Sequence, residues 1–314
     1  MMLSLFMILE KIIALKIDVD TFFGMKHGSP LIASVLKDYG IRGSFFVPTG
    51  RDNTGRTAKR VFTRRGFLSK AKRVGVIRTY GIRTLLFGLL IPGPKIAERN
   101  REILKKILDE GHEVGIHGHD HVFWHDKIRR LNYKRTLEEL EKAAKTYEDL
   151  LKTEPRSFAS PGWVTNLHAL KILEAKGFSY SSDTRGYAPF FPIMNGEAIR
   201  LLQIPTTLPT LDEVIGIHGN DPNSLISYYE NLLNPSINVL TIHAEIEGRN
   251  WSEFLKIFIE KTLEKGYRYM RLIDIAHALE KDELPQIKVF YGTIEGRAGE
   301  VCIQEKPGKT ALFS

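Results

Sequence analysis

Short apolar runs alternate along this chain with longer stretches whose apolar residues recur at helical spacing. Ile12 to Val19 reads as a buried strand that ends at Asp18 and Asp20, and Leu31 to Tyr39 as a helix stopped by Gly40. Ser44 to Val47 is predicted as the next strand. The amphipathic stretch Ile96 to Glu110 predicts a helix closed by Gly111, and His112 to Ile116 a strand running into a group of histidines. Tyr133 to Lys152 predicts a long helix rich in Glu and Lys at i, i+4 spacing. Ser157 to Ala159, Phe178 to Ser182, Leu201 to Ile204, Val239 to Ile242 and Tyr267 to Arg271 read as further strands. Leu167 to Lys176, Glu253 to Glu264 and Ile273 to Glu280 read as helices set among them.

Repeated strand–helix order predicts an α/β protein with a mostly parallel sheet. Five polar candidates then fall at the C-terminal ends of predicted strands: Asp18, Asp20, His117, Asp183 and His243. Active sites of parallel α/β sheets and barrels gather at that edge.

One segment breaks the rhythm. From Arg51 to Arg83 there are eleven Lys or Arg against one acid, Asp52, with apolar residues interleaved. The apolar run from Leu85 to Ile91 follows. A basic, apolar stretch of this kind suits an anionic membrane surface, or a solvated basic helix packed by its apolar stripe. No nucleic-acid recognition motif accompanies it. The net charge of +8 agrees with an anionic partner. Met1 to Ile13 is fairly apolar but lacks a basic start and a small-residue cleavage site, so it reads as a short extension before the first strand. No apolar run approaches the ~18 residues of a membrane span. With one cysteine, Cys302, an internal disulfide framework is excluded.

The chemistry concentrates in two places. Five of the ten histidines lie between 112 and 125. His117 and His121, four residues apart, project to one face of a helical turn, and a carboxylate from elsewhere would complete a two-His, one-carboxylate metal site. Asp18 and Asp20 stand two apart at a strand end, where one can bind a metal while the other stays free as a base. His119 would point elsewhere, and His125 is expected at the surface.

Three segments carry a family resemblance: Lys16-Ile-Asp-Val-Asp20, Gly111-His-Glu-Val-Gly-Ile-His-Gly-His-Asp-His121 and Leu240-Thr-Ile-His243. They resemble the polysaccharide deacetylase (NodB-homology) family. Ser160-Pro-Gly-Trp163, Ser182-Asp-Thr-Arg-Gly186, the stretch from Ile204 to Gly216 and Thr241-Ile-His-Ala-Glu-Ile-Glu-Gly248 are most similar to its branch of deformylases for undecaprenyl-phosphate-linked 4-deoxy-4-formamido-L-arabinose, which serve lipid A modification. The resemblance implies a distorted (β/α) barrel of about seven strands, with a core over about 12–283, an insertion at about 51–94 and a C-terminal extension at about 284–314. It implies one divalent metal on Asp20, His117 and His121, with Asp18 as general base and His243 as general acid. Zinc, manganese, cobalt, nickel and iron all suit such donors.

One departure stands out. The family's Arg-x-Pro arginine, which orients the catalytic aspartate, has no counterpart in Phe158-Ala-Ser-Pro-Gly162. Arg185 is expected to take that role, with Asp183 tuning His243; the plainer alternative is an ion pair bracing the barrel rim. Trp163 is expected to stack on the sugar or to pack at the barrel mouth. Glu245 and Glu247 are expected to meet sugar hydroxyls or the amine product, or to be surface acids. The implied activity is removal of an N-formyl group from a lipid-linked aminosugar by a cytoplasmic protein peripheral to the inner membrane face. Deacetylation of another N-acylated glycan, and non-catalytic binding of carrier lipid, are the competing readings.

Overall fold

The computed structural model describes residues 10–59 and 82–306. Most of the basic segment noted above, residues 60–81, and the first nine residues lie outside that description.

The centre is a sheet of seven parallel strands curled into a half-barrel. Its members are β1 (Ile12–Asp18), β2 (Ser44–Val47), β3 (Glu113–Ile116), β4 (Ser157–Phe158), β5 (Tyr180–Ser181), β8 (Ile237–His243) and β9 (Arg268–Tyr269). Their order is β5-β4-β3-β2-β1-β8, with β9 pairing the start of β1. Every residue of β1 is buried, as expected of a parallel strand covered on both faces. Parallel register sets Asp18 opposite both Phe46 and His243, and Ile116 opposite Val47 and Phe158. The strands therefore end in one row, and the polar residues that follow them share one rim.

Helices cover the outside: α1 (Ser29–Asp38), α2 (Arg101–Asp109), α3 (His121–Lys127), α4 (Tyr133–Leu151), α5 (Leu167–Ala175), α6 (Pro222–Glu230), α7 (Ser252–Glu264) and α8 (Leu272–Ala278). Caps start several of them. Asp120, Asn132, Asn166 and Asp221 each accept a backbone N–H three residues on. α4 buries Leu140, Ala143 and Tyr147, whose hydroxyl donates to the Val114 carbonyl at 2.9 Å.

Three predicted elements come out differently. The helix expected over Ile96 to Glu110 is broken at Asn100, whose side chain donates to the Ile96 carbonyl at 2.8 Å and competes with the helical ladder. Leu201 to Ile204 forms no continuous strand. Gln203 bridges Ser181 and Phe190 singly, and Pro205 has no N–H to extend a ladder. A second, four-stranded sheet has no counterpart among the predicted elements. It joins β6 (Phe191–Met194) and β7 (Glu197–Ala198) to β10 (Gln286–Gly292) and β11 (Val301–Gln304). The backbone at Arg185 donates to the Cys302 carbonyl and accepts from Gln304, so β11 is tied to the barrel rim.

Candidate active site

Asp20, His117 and His121 converge at the rim, with one ligand atom from each lying within 4.8 Å of the others. Asp20 follows β1, His117 follows β3, and His121 opens α3, where the Asp120 cap fixes the turn. Asp20 Oδ1 is 3.2 Å from His121 Nε2 and 3.5 Å from His117 Nε2. His117 Nδ1 lies 2.7 Å from the Ala159 carbonyl, so that nitrogen carries the proton and Nε2 is left as a lone-pair donor facing Asp20. Asp20 Oδ1 is buried and accepts no hydrogen bond, as befits an oxygen reserved for a cation. Burial opposes ionisation of Asp20, yet the charge of His121 beside it holds its carboxyl well below the usual range. This donor set fits a divalent ion.

Asp18 and His243 stand beside the triad. Asp18 Oδ2 accepts from Lys16 Nζ at 2.5 Å, and both side chains are excluded from solvent. Its other oxygen, Oδ1, is buried without a hydrogen bond. Burial pushes the Lys16 ammonium down, against the pull of Asp18. His243 Nδ1 lies 3.8 Å from Asp212 Oδ1. Burial disfavours the imidazolium, but Asp212, Asp20, Glu247 and Asp18 outweigh it, so the His243 pKa lies above its ordinary value.

The expected helpers sit elsewhere. Arg185 does not reach Asp18: its Nη1 donates to both oxygens of Glu213 at 2.8 Å, and its Nη2 donates to the Leu208 carbonyl. It braces the rim, and Lys16 is the cation on Asp18. Asp183 does not contact His243. It accepts from the Ser160 N–H at 2.9 Å and from Ser181 Oγ at 2.7 Å, tying β4 to β5, and Asp212 is the carboxylate near His243.

Trp163 is 2% exposed, with Nε1 donating to Thr206 Oγ1, so it packs at the barrel mouth rather than offering a face to a sugar. Lys16, Arg185 and Arg297 lie against its ring, the Arg297 guanidinium carbon 4.4 Å from the centroid. Its φ of 54° follows Gly162, also left-handed, in a tight turn.

Glu245 and Glu247 are not surface acids. Glu245 Oε1 accepts from the backbone N–H groups of Asp20 and Thr21 and from Thr21 Oγ1. Glu247 Oε2 accepts from the His243 N–H at 2.8 Å. Burial raises both carboxyls to about 7. They hold the loops that present Asp20 and His243. His119 Nδ1 meets Thr49 Oγ1 at 3.0 Å, away from the triad. His125, expected at the surface, is only 9% exposed because it packs under the Pro161–Trp163 turn, where a Cβ on Gly162 would come within 2.6 Å of its ring.

Lys16, Asp212 and Glu213 escaped the sequence reading. Lys16 left a signal: it is a lysine inside a strand that is otherwise apolar up to Asp18, and a cation buried there demands a counter-ion.

Known proteins resemble this chain in sequence and in fold. The sequence matches the polysaccharide deacetylase family over residues 9–181. It is 34% identical, over 90% of this chain and 99% of that protein, to the "Probable 4-deoxy-4-formamido-L-arabinose-phosphoundecaprenol deformylase" of Wigglesworthia glossinidia brevipalpis. The protein of the same name from Shewanella sediminis is 32% identical, over 91% of this chain and 92% of that one. The crystal structure of a "probable Polysaccharide deacetylase" from Pseudomonas aeruginosa PAO1 superposes with a TM-score of 0.61 at 14% identity, covering 87% of this chain and 92% of that one. With its curled parallel barrel and full-length relatives, the chain belongs to the polysaccharide deacetylase family and is an amide-bond hydrolase.

Proposed function

We propose that the chain is a metal-dependent deformylase, releasing formate from undecaprenyl-phosphate-linked 4-deoxy-4-formamido-L-arabinose at the cytoplasmic face of the membrane. The observation that carries this reading is the convergence of Asp20, His117 and His121 beside Asp18 and His243 on one barrel rim. The two full-length relatives supply the substrate class. We read residues 12–283 as the barrel core of a single domain, with an insertion at about 51–94 and an extension at about 284–314.

Amide hydrolysis needs a nucleophile near neutral pH, a counter-charge for the oxyanion and a proton for a poor leaving group. A divalent ion on Asp20, His117 and His121 would supply positive charge that makes a water nucleophilic and steadies the oxyanion. Asp18 accepts a proton from the attacking water, using the oxygen that Lys16 leaves free. His243 donates a proton to the nitrogen as the C–N bond breaks, giving formate and the free amine. The carboxylates around His243, Asp212 foremost, favour its protonated form against the effect of burial. Glu245 and Glu247 position Asp20 and His243 through their backbone.

Among the described residues no helix is long and apolar enough to cross a membrane. A lipid-linked substrate would then be met at the surface. Deacetylation of another N-acylated glycan is the second reading, favoured by the superposition on a deacetylase, and it changes only the acyl pocket. Chelator dialysis tests the metal: formate release should vanish and return with a divalent ion in the wild type, and should not return in Asp20→Ala. Full activity after chelation would contradict the proposal.

A further inference from the structure

A second concavity opens beside the metal triad, and none of the residues discussed above accounts for it. It encloses about 530 Å³ and is lined by Lys26, Arg51, Arg83 and Arg99 together with Phe23 and Phe87. Phe22, two residues after Asp20, also lines it, so groove and triad share one loop. No acidic residue lines it, and among the described residues none of its four cations pairs with a carboxylate. Among the described residues, the Arg51 side chain makes one hydrogen bond, from Nη1 to the Gly93 carbonyl at 2.9 Å. Like charges gathered without a counter-ion repel one another, and an arriving anion relieves that repulsion.

The walls are tied to one another by packing and hydrogen bonds. Phe23 stacks on Phe87 at 6.2 Å between centroids. The Phe22 N–H donates to the buried Asp52 carboxylate, which also accepts from Thr54. A Cβ on Gly93 would lie 1.6 Å from the Asp52 carbonyl, so the two walls are in backbone contact. At one edge the rim turns apolar: Leu89, Leu90 and Ile91 are 50%, 73% and 39% exposed. Among the described residues, an exposed apolar tip beside cations that pair with no carboxylate matches an amphiphile with a charged head and a greasy chain.

We propose that this groove binds the phosphoryl group and first isoprene units of a prenyl-phosphate carrier, with the cations on the phosphoryl oxygens and Leu89, Leu90 and Ile91 against the chain. The inference rests on the lipid-linked reading of the substrate. It adds where the carrier is held and why the sugar reaches the triad from that side.

Calorimetric titration of the full chain with farnesyl phosphate, farnesol and inorganic phosphate tests it, using the wild type, Lys26→Glu and Arg99→Glu. Both positions are exposed, and circular dichroism checks that the variants fold. Farnesyl phosphate should bind at least about tenfold more tightly than either fragment, and each charge reversal should weaken it about tenfold or more. Equal binding of farnesol, equal binding of inorganic phosphate, or indifference to both substitutions would overturn the proposal. Formate release by the wild type from the lipid-linked sugar is read separately. If it fails while the binding pattern holds, the deformylase reading falls and the groove stands.

Discussion

Lys16 and Asp18 form a buried ion pair inside one strand, Nζ to Oδ2 at 2.5 Å, directly beneath the metal triad. Side chains two apart on a strand share a face, so β1 itself delivers both partners to the barrel interior. The pair ties Asp18 Oδ2, which also lies 3.9 Å from His117 Nε2, and leaves Oδ1 without a hydrogen bond. Lys16→Met leaves an uncompensated buried charge, so it should cost about 3–5 kcal/mol of stability and abolish turnover. Lys16→Met with Asp18→Asn removes both charges and should recover much of the melting temperature without recovering activity. Thermal melts and formate release on the two variants check this. A double variant no more stable than Lys16→Met would show that the pair is not the reason.

Asp212 should set the basic limb of the pH profile through His243. The His243 pKa is raised by carboxylates against the effect of burial, Asp212 foremost. A general acid works protonated, so its contribution is present at low pH and is lost as pH rises through that pKa. Removing the Asp212 charge lowers the pKa, so in Asp212→Asn the decline in kcat should begin at lower pH. An unmoved limb, with kcat reduced equally at every pH, would assign Asp212 to structure alone.

Glu245 and Gly24 are matched. A Cβ on Gly24 would fall 1.8 Å from Glu245 Oε1, the oxygen that holds the Asp20 and Thr21 N–H groups. Gly24→Ala should therefore cost about 1–3 kcal/mol and weaken metal binding by displacing the loop. Gly40→Ala is the control. Gly40 has φ of +66° and nothing within 4 Å of its Cβ position, so only ~1 kcal/mol of backbone strain is expected, with no change in metal affinity. Metal titration of both variants distinguishes a loop effect from general destabilisation.

Much of this arrangement was legible from the chain. The ligands sit where apolar strands stop, and parallel register carries Asp18, Asp20, His117 and His243 to one rim. The supporting residues were harder because each depends on which distant segment arrives beside it. Asp212 lies far from β1 and β3 in the stretch from Ile204 to Gly216, and only the packed fold brings it near His243. Arg185 had the right charge and the wrong neighbour, since Glu213 captures its fork. The β6–β7 hairpin carries a local signal in Asn195-Gly196, both at positive φ. β10 has only an alternating, half-buried pattern, and such strands are weakly marked in sequence.

The most direct test of the central claim compares formate and acetate release from matched N-formyl and N-acetyl lipid-linked aminosugars, using metal-replete wild type and Asp20→Ala. The account predicts formate from the wild type, none from the variant, and little or no acetate from either. Acetate released as readily as formate would place the chain among the wider deacetylases. No product from folded, metal-loaded protein would contradict the catalytic account altogether.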